Sequence, residues 1–274
     1  MERYLTAVDV MTDTERLALV TGAGRPNGLG AAIVREFRHR GITVVVADVI
    51  NETWGTDEID VGLHFIKTDL NDAADTQRLL GDIEEQFGRL DILVNNAAAP
   101  QGSDRADIAD VPLDAFESVF QVGLIAPFIL IHGAVPLMRR YGWGRIVNIA
   151  SIDGLTPKPT RGAYCASKSA LIALTRSVAL DVAKDGITAN SVCPGSMKTA
   201  RAMKTVARRL AAGVVASEED AFAAEIARIP IGRFGGVEEV ARIVSFLASD
   251  AGAYVTAEAW GAHGGQLFTG YLGT

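Results

Sequence analysis

Tyr164 and Lys168 stand four residues apart in the segment YCASK, a spacing that brings both side chains to one face of a helix. A free tyrosine titrates near ~10, and an ammonium held beside the phenol favours tyrosinate by charge, so this pairing suits a phenolic base working at neutral pH. The matching chemistry is proton transfer to or from an alcohol oxygen. Thirteen residues earlier, Ser151 closes the apolar run GRIVNIAS, where its hydroxyl can hydrogen-bond a substrate carbonyl or alcohol. Tyr-x-x-x-Lys alone arises by chance in many helices; the three residues together are far more specific.

A second group lies upstream in LALVTGAGRPNGLGAAIVREF, an apolar run, a glycine-rich turn and a helical pattern. Backbone N–H groups at a helix N-terminus attract phosphate, and glycine lets the backbone approach it closely. Two registers are open: Gly22, Gly28 and Gly30, with a bulge containing Arg25, Pro26 and Asn27, or the tighter Gly24, Gly28 and Gly30. Asp48 ends the run VVVAD, 18 residues beyond Gly30. A carboxylate there accepts hydrogen bonds from ribose hydroxyls and repels a 2′-phosphate, which favours NAD over NADP; Arg25 and Arg35 are the counterweights.

These residues need a scaffold that puts several strand ends side by side. The runs RLALVT, ITVVVAD, LHFIKTD, LDILVNN, GRIVNIAS, ITANSVC and AYVTAEAW read as strands, several of them apolar on both faces. Between them lie the helical patterns GAAIVREFRHR, AADTQRLLGDIEEQFGR, LDAFESVFQVGLIAPFILIHGAVPLMRR, AYCASKSALIALTRSVALDVAKD and GVEEVARIVSFLAS. Strand and crossover helix in alternation predict an α/β fold, a doubly wound parallel (Rossmann) sheet of about seven strands with helices on both faces. Such sheets bind ligands beyond the carboxyl ends of their strands.

Composition narrows the function. The 274 residues show no compositional break, so residues 1–15 are expected to be a loose extension and 16–274 a single domain. A net charge of −7 argues against nucleic-acid or anionic-membrane partners. The longest apolar stretch, Val122–Met138, contains Pro127, His132 and Pro136 and reads as a buried helix, not a membrane span. The opening residues do not read as a secretory signal, and Cys165 and Cys193 lack metal-ligand partners at useful spacing. A cytoplasmic protein without a metal is expected, with His132 and His263 structural.

On the stretches VTGAG…GLG, TDL, NNAA, GRIVNIAS, YCASK, NSVCPGSMKT and the GG of GAHGGQ, the chain resembles the short-chain dehydrogenase/reductase family over roughly residues 15 to 268. The resemblance implies hydride transfer between an alcohol carbon and a nicotinamide, with Tyr164 as acid/base, Ser151 orienting the substrate oxygen and Lys168 on the nicotinamide ribose. It implies cofactor contacts from Gly22, Arg25, Asn27, Gly28, Leu29 and Gly30 at the pyrophosphate loop and from Asp48, Asp69 and Leu70 near the adenosine. Asn95 and Asn96 would lie near the cofactor and central sheet, and Pro194, Gly195, Met197 and Thr199 around the nicotinamide. The family also suggests a homotetramer or homodimer built through the two long helices, and a substrate-covering segment over 196–235. Arg201, Lys204, Arg208 and Arg209 in that segment read as a solvated helix face.

Two departures stand out. Family members usually carry an asparagine in the long helix that holds a water linking the lysine to solvent; here QVGLIAPF puts Gly123 in that place. NNAA also replaces NNAG, with Ala98 at the glycine position. The expected activity is an NAD-dependent dehydrogenase or reductase of a small secondary alcohol such as a polyol, sugar or hydroxy acid. An NADP-dependent 3-oxoacyl reductase and a dinucleotide-binding protein of low turnover are the alternatives. Enoyl-acyl-carrier reductases have a similarly enlarged loop but space their tyrosine and lysine further apart, so YCASK argues against that activity.

Overall fold

Short runs of β-branched residues that are apolar on both sides pay no penalty only when both faces of their sheet are covered. In the computed structural model, which describes residues 12–52, 62–100, 102, 104–211 and 213–271, those runs form one seven-stranded parallel sheet. Its strands are β1 Leu17–Thr21, β2 Thr43–Asp48, β3 Leu63–Lys67, β4 Ile92–Asn95, β5 Gly144–Ile149, β6 Ile187–Pro194 and β7 Ala259–Ala262, in the order β3-β2-β1-β4-β5-β6-β7. The order reverses at β1 and β4, which opens a crevice at their carboxyl ends.

Helices α1 Leu29–His39, α2 Ala73–Phe87, α3 Leu113–Phe120, α4 Ala126–Tyr141, α5 Gly162–Val182, α6 Ala200–Ala211, α7 Glu218–Ile226 and α8 Val237–Leu247 complete the described elements. On one face Ile33 and Phe37 of α1 and Val240 and Val244 of α8 pack over Val20, Val94 and Val147. On the other, Leu79 of α2, Leu130 and Met138 of α4, and Ala179 of α5 pack over Leu19, Leu93 and Ile146. The stretch Leu113–Tyr141 is long and apolar enough to cross a membrane by length and composition, but it supplies one side of this core.

Two expected elements come out differently. The seventh strand, expected over AYVTAEAW, is β7, which takes only the last two residues of that run, Ala259 and Trp260, and continues to Ala262: Ala257 adopts φ +65°, and regular pairing with β6 begins only at Ser191↔Ala259. The single long helix expected over residues 113–140 is interrupted by a π turn at Gln121–Ile125. Pro127 has no N–H to give the carbonyl four residues back, at Gly123, and Ala126 instead donates to Gln121. Of the extension expected over residues 1–15, residues 1–11 lie outside the described residues. Residues 13–15 form a 3₁₀ turn fastened by Asp13, which accepts from Arg16 at 2.8 Å and from Arg40 at 2.8 Å.

Candidate active site

At the end of β1 the chain turns through Gly22 at φ +69°, and a Cβ there would lie 2.6 Å from the Ala97 Cα. A Cβ on Gly30 would meet the Asn96 Nδ2 at the same distance. Asn96 Nδ2 donates to the carbonyls of Thr21 at 2.8 Å and Gly22 at 3.0 Å, fixing the turn to β4. Arg25, Pro26 and Asn27 form an exposed bulge in this loop, and Leu29 is buried in α1. Gly24 is also demanded, because it lies against the Ile50 backbone and its N–H donates to Asp48 Oδ2 at 2.8 Å.

Gly28 is different. It is the N-cap of α1 at φ −92°, and a Cβ on it would meet only the Arg25 carbonyl, at an ordinary 3.5 Å. Among the described residues nothing requires glycine at this position. What a side chain would fill is the space before the first turn of α1, where unpaired N–H groups favour phosphate.

Asp48 leaves β2 at the crevice edge, its carboxylate accepting from Gly24 and, at 3.3 Å, from Ile50 N–H. A carboxylate has about four lone-pair sites, so two N–H donors leave capacity for ribose hydroxyls. Thr68 N–H donates to the Asp48 carbonyl, which draws the turn with Asp69 and Leu70 alongside; Asp69 is exposed and Leu70 buried. Arg35 is tied to the loop through the Pro26 carbonyl at 3.1 Å.

The proton-transfer candidates come from β5 and α5. Ser151 follows β5 and caps a 3₁₀ turn at Ile152–Gly154, its Oγ accepting from Asp153 N–H at 3.1 Å. An oxygen that accepts a backbone N–H has its own proton left to aim at another acceptor. Gly154 seals this turn onto α5: a Cβ there would lie 2.8 Å from the Lys168 carbonyl carbon, and Ser169 Oγ donates to the Gly154 carbonyl at 2.7 Å. Tyr164, one helical turn before Lys168, is half-buried, while Lys168 is 3% exposed and its Nζ donates to the Ile149 carbonyl at 2.7 Å. The Lys168 ammonium lies 6.0 Å from the Tyr164 ring centre. Ser151, Tyr164 and Lys168 thus share one locus where β5 meets α5.

Other expected residues have clear structural duties. Asn95 is buried and donates to Asn148 Oδ1 at 2.8 Å; Asn148 donates to Thr175, which also accepts from Ser191. This polar ladder ties β4, β5 and β6 to α5 and holds the Tyr-Lys helix in register with the sheet. Gly195 is packed against His263, and its N–H bonds Ala262. Pro194 ends β6 opposite Ala262, Met197 bridges to Gly235, and Thr199 accepts from Ala202 at the start of α6. The side chains of Arg201, Lys204, Arg208 and Arg209 lie outside the described residues. Cys193, beneath the site, is fully buried, and burial pushes its thiol up to about 11. Packing, not thiol chemistry, is its role.

Sequence reading passed over three features of this locus. Gly154 carried no motif, and only its approach to Lys168 reveals it. Asp153, 2% exposed, is paired with Lys158 at 3.1 Å and Arg161 at 2.5 Å, spanning the loop between the serine turn and α5. Arg105, from the segment after β4, stacks its guanidinium 5.2 Å from the Tyr164 ring centre.

Gly123 sits on the π turn against α5, where a Cβ would meet Ser167 Oγ at 3.0 Å and Ser167 Cβ at 3.3 Å. Ser167 is fully buried and donates to the Tyr164 carbonyl at 2.9 Å. Restoring the family asparagine therefore overpacks this contact. Gly123→Asn is expected to destabilise the protein by about 1 kcal/mol and to lower turnover, with Ser167→Ala in the same chain recovering most of both. Urea melts and kcat of the single and double variants check this.

Comparisons with known proteins place the chain in a family. A family model described as enoyl-(acyl carrier protein) reductase matches residues 22–266. The D-beta-hydroxybutyrate dehydrogenase of Rhizobium meliloti (strain 1021) is 32% identical over 88% of this chain and 94% of its own. Galactitol 2-dehydrogenase of Agrobacterium fabrum is 33% identical over 92% of this chain and 97% of its own. Among solved structures, YwfH, an NADPH dependent reductase involved in bacilysin biosynthesis, superposes with a TM-score of 0.77 at 26% identity, covering 92% of this chain and 98% of that one. The family match over residues 22–266, these relatives and the seven-stranded parallel sheet make this chain a member of the short-chain dehydrogenase/reductase family, an oxidoreductase acting on CH–OH groups.

Proposed function

We propose that the protein interconverts a small secondary alcohol and its ketone with NAD(H), through Ser151, Tyr164 and Lys168. The observation that carries this reading is the sealing of the Ser151 turn onto α5 by Gly154, which puts the serine, the tyrosine and the lysine at one strand end. When bound, the nicotinamide supplies the hydride acceptor or donor. Ser151, its oxygen already accepting from Asp153, donates its proton to the substrate oxygen and orients it. Tyr164 takes the alcohol proton in oxidation and returns it in reduction. Lys168 Nζ, 6.0 Å from the Tyr164 ring centre, favours tyrosinate by its charge.

The cofactor would lie across the β1/β4 crevice, its pyrophosphate before α1 at Gly28 and its adenosine ribose at Asp48. The fixed Asp48 carboxylate supports NAD, because a 2′-phosphate there would face a negative charge. Residues 196–235 would cover the substrate. The exposed apolar side chains of Ile125 at the end of the π turn, Phe128 of α4 and Leu180 of α5 support association of copies through these two helices. Hydroxybutyrate and galactitol in the names of relatives fit a hydroxy acid or polyol substrate.

Titration with NADH and NADPH by quenching of protein fluorescence tests the cofactor reading. NADH is expected to bind at least tenfold tighter, and the reverse order overturns the assignment. Gly28→Val should weaken NADH binding by a factor of about ten or more while leaving the urea midpoint nearly unchanged, since the side chain enters the phosphate space and not the protein core.

A further inference from the structure

Asp153 stands two residues after Ser151, and folding takes it almost wholly out of water. A buried carboxylate is costly unless cations and donors meet it, and here its two oxygens are divided between two partners. Oδ2 accepts from the Arg161 guanidinium at 2.5 Å, and Oδ1 lies 3.1 Å from Lys158 Nζ. The main chain of Asp153 is engaged as well, its N–H donating to Ser151 Oγ at 3.1 Å. One residue thus holds the serine hydroxyl with its backbone and the far side of the loop with its side chain.

What the side chain holds is the start of the tyrosine helix. Arg161 is the N-cap of α5, three residues before Tyr164, and its carbonyl accepts from the Cys165 N–H at 2.8 Å. Its side chain caps no helical N–H and reaches back to Asp153 instead. The connection from the serine turn to Arg161 reads LTPKPT, with φ fixed by proline at Pro157 and Pro159. Thr160, the last of these residues, takes φ +59°, a left-handed conformation that a β-branched residue keeps only where its surroundings impose it. Lys158 and Arg161 lie on either side of Thr160 in the chain, and Asp153 holds both.

Resting on the hydride-transfer reading above, we infer that Asp153 is a positioning residue of the reaction: its carboxylate clasps the two ends of the loop 152–161 and so sets the separation between the Ser151 hydroxyl and the Tyr164 phenol. Both groups must meet one substrate oxygen, and a misplacement of about 1 Å can cost a hundredfold in rate. Gly154 attaches the serine turn to α5 at Lys168, after Tyr164, while Asp153 attaches it at Arg161, before Tyr164. With one attachment the turn could rock about it; two attachments on either side of Tyr164 prevent this.

Asp153→Asn keeps the volume of the side chain and the N–H that meets Ser151, and removes the charge that two cations share. The assay uses whichever of 3-hydroxybutyrate, galactitol and 2-butanol the wild-type protein oxidises fastest with NAD. In Asp153→Asn kcat is expected to fall about ten- to a hundredfold, with KM changed less than about threefold. Arg161→Gln should give a similar loss, and the two substitutions together should lose no more than either alone. The deciding comparison is made on Ser151→Ala, where Asp153→Asn should lower kcat less than about threefold, because the hydroxyl it places is gone. Should Asp153→Asn fail to fold, Arg161→Gln, on the more exposed side of the pair, carries the same comparison. An equal loss with and without the Ser151 hydroxyl overturns the inference, since Asp153 would then only support the fold, and so does an unchanged kcat in both single variants. Amide hydrogen exchange over residues 152–161 should also quicken about tenfold or more in these variants while β5 keeps its protection; unchanged exchange there removes the clasp. A wild-type protein that oxidises none of the three alcohols, with exchange still quickened in the variants, would sink the hydride-transfer reading and leave the clasp standing.

Discussion

Tyr164→Phe is expected to lower kcat by about 10² to 10⁴, the range that general acid/base assistance supplies, while NADH affinity changes less than about threefold. The substitution removes one oxygen and nothing else. The ring remains in the core of α5, β4 and α4 and keeps its place under the Arg105 guanidinium. Lys168 stays anchored to the Ile149 carbonyl, and Ser151 stays capped on its turn, because neither contact uses the phenol oxygen. A fall in kcat with intact cofactor affinity and an unchanged urea midpoint therefore isolates proton transfer. Unchanged activity would remove Tyr164 from the mechanism. Ser151→Ala, which leaves the phenol in place, should fall less far and mainly in the step that positions the substrate oxygen.

The largest expected effect on stability lies at the opposite end of the sheet. Arg16, just before β1, and Arg145, at the start of β5, are each 3% exposed and stack on Trp143, with guanidinium carbons 3.9 and 4.2 Å from its ring centre. Asp250 joins them. It accepts from Arg16 at 2.8 and 3.0 Å and from the Trp143 indole N–H at 3.0 Å, and lies 3.7 Å from Arg145. Burial pushes the Arg145 guanidinium down to about 10, which still leaves it charged at neutral pH. Asp250→Ala deprives Arg145 of its acidic neighbour and removes one of the two carboxylates, Asp13 and Asp250, that pair with Arg16. It should cost about 3 kcal/mol, toward the lower end for a broken buried pair because Asp250 is itself half exposed. Urea denaturation at pH 7 measures this directly, with substrate-independent NADH binding retained because the cluster is remote from the crevice.

The same cluster predicts a pH dependence. Burial tends to raise the Asp250 carboxyl, but the hydrogen bonds from Arg16 and Trp143 and the two guanidinium charges outweigh it and hold the group below the usual carboxylate range. A carboxylate lowered on folding contributes its stability above the unfolded value near ~4, and that stability is lost as pH falls through the lower folded value. The difference between wild type and Asp250→Ala should accordingly be full at pH 7 and shrink below about pH 4.

Much of the scaffold was legible in advance because it is a local property. Strands buried on both faces need uninterrupted β-branched residues, and crossover helices need their own apolar stripe, so six of the seven strands and most helices appear where pattern and punctuation place them. The exceptions are instructive. β7 begins late because Ala257 takes a left-handed conformation that no residue preference announces. The long helix breaks into a π turn because Pro127 withholds an N–H, a consequence that Pro127 and Gly123 together imply but that periodicity alone hides.

The same division runs through the site. Residue type and spacing alone named the phenol, the ammonium, the serine, the glycine turn and the carboxylate after β2, since each carries its chemistry in its side chain or in its lack of one. The two glycine registers differ at Gly22 and Gly24, and packing demands glycine at both, Gly22 at positive φ against Ala97 and Gly24 against Ile50. Which glycines of this loop serve the fold was a question only packing answers: Gly22, Gly24 and Gly30 are held against neighbouring atoms, and Gly28 is not. Arg105 is 59 residues from Tyr164 in the chain, and the Gly154 contact with Lys168 spans two elements; such pairings have no local signature. The sequence by itself determined which reactions the chain has the groups to perform and the sheet that presents them. The tertiary structure decided the charge around those groups, because charge at a site is a sum over side chains that only folding brings within a few ångströms of one another.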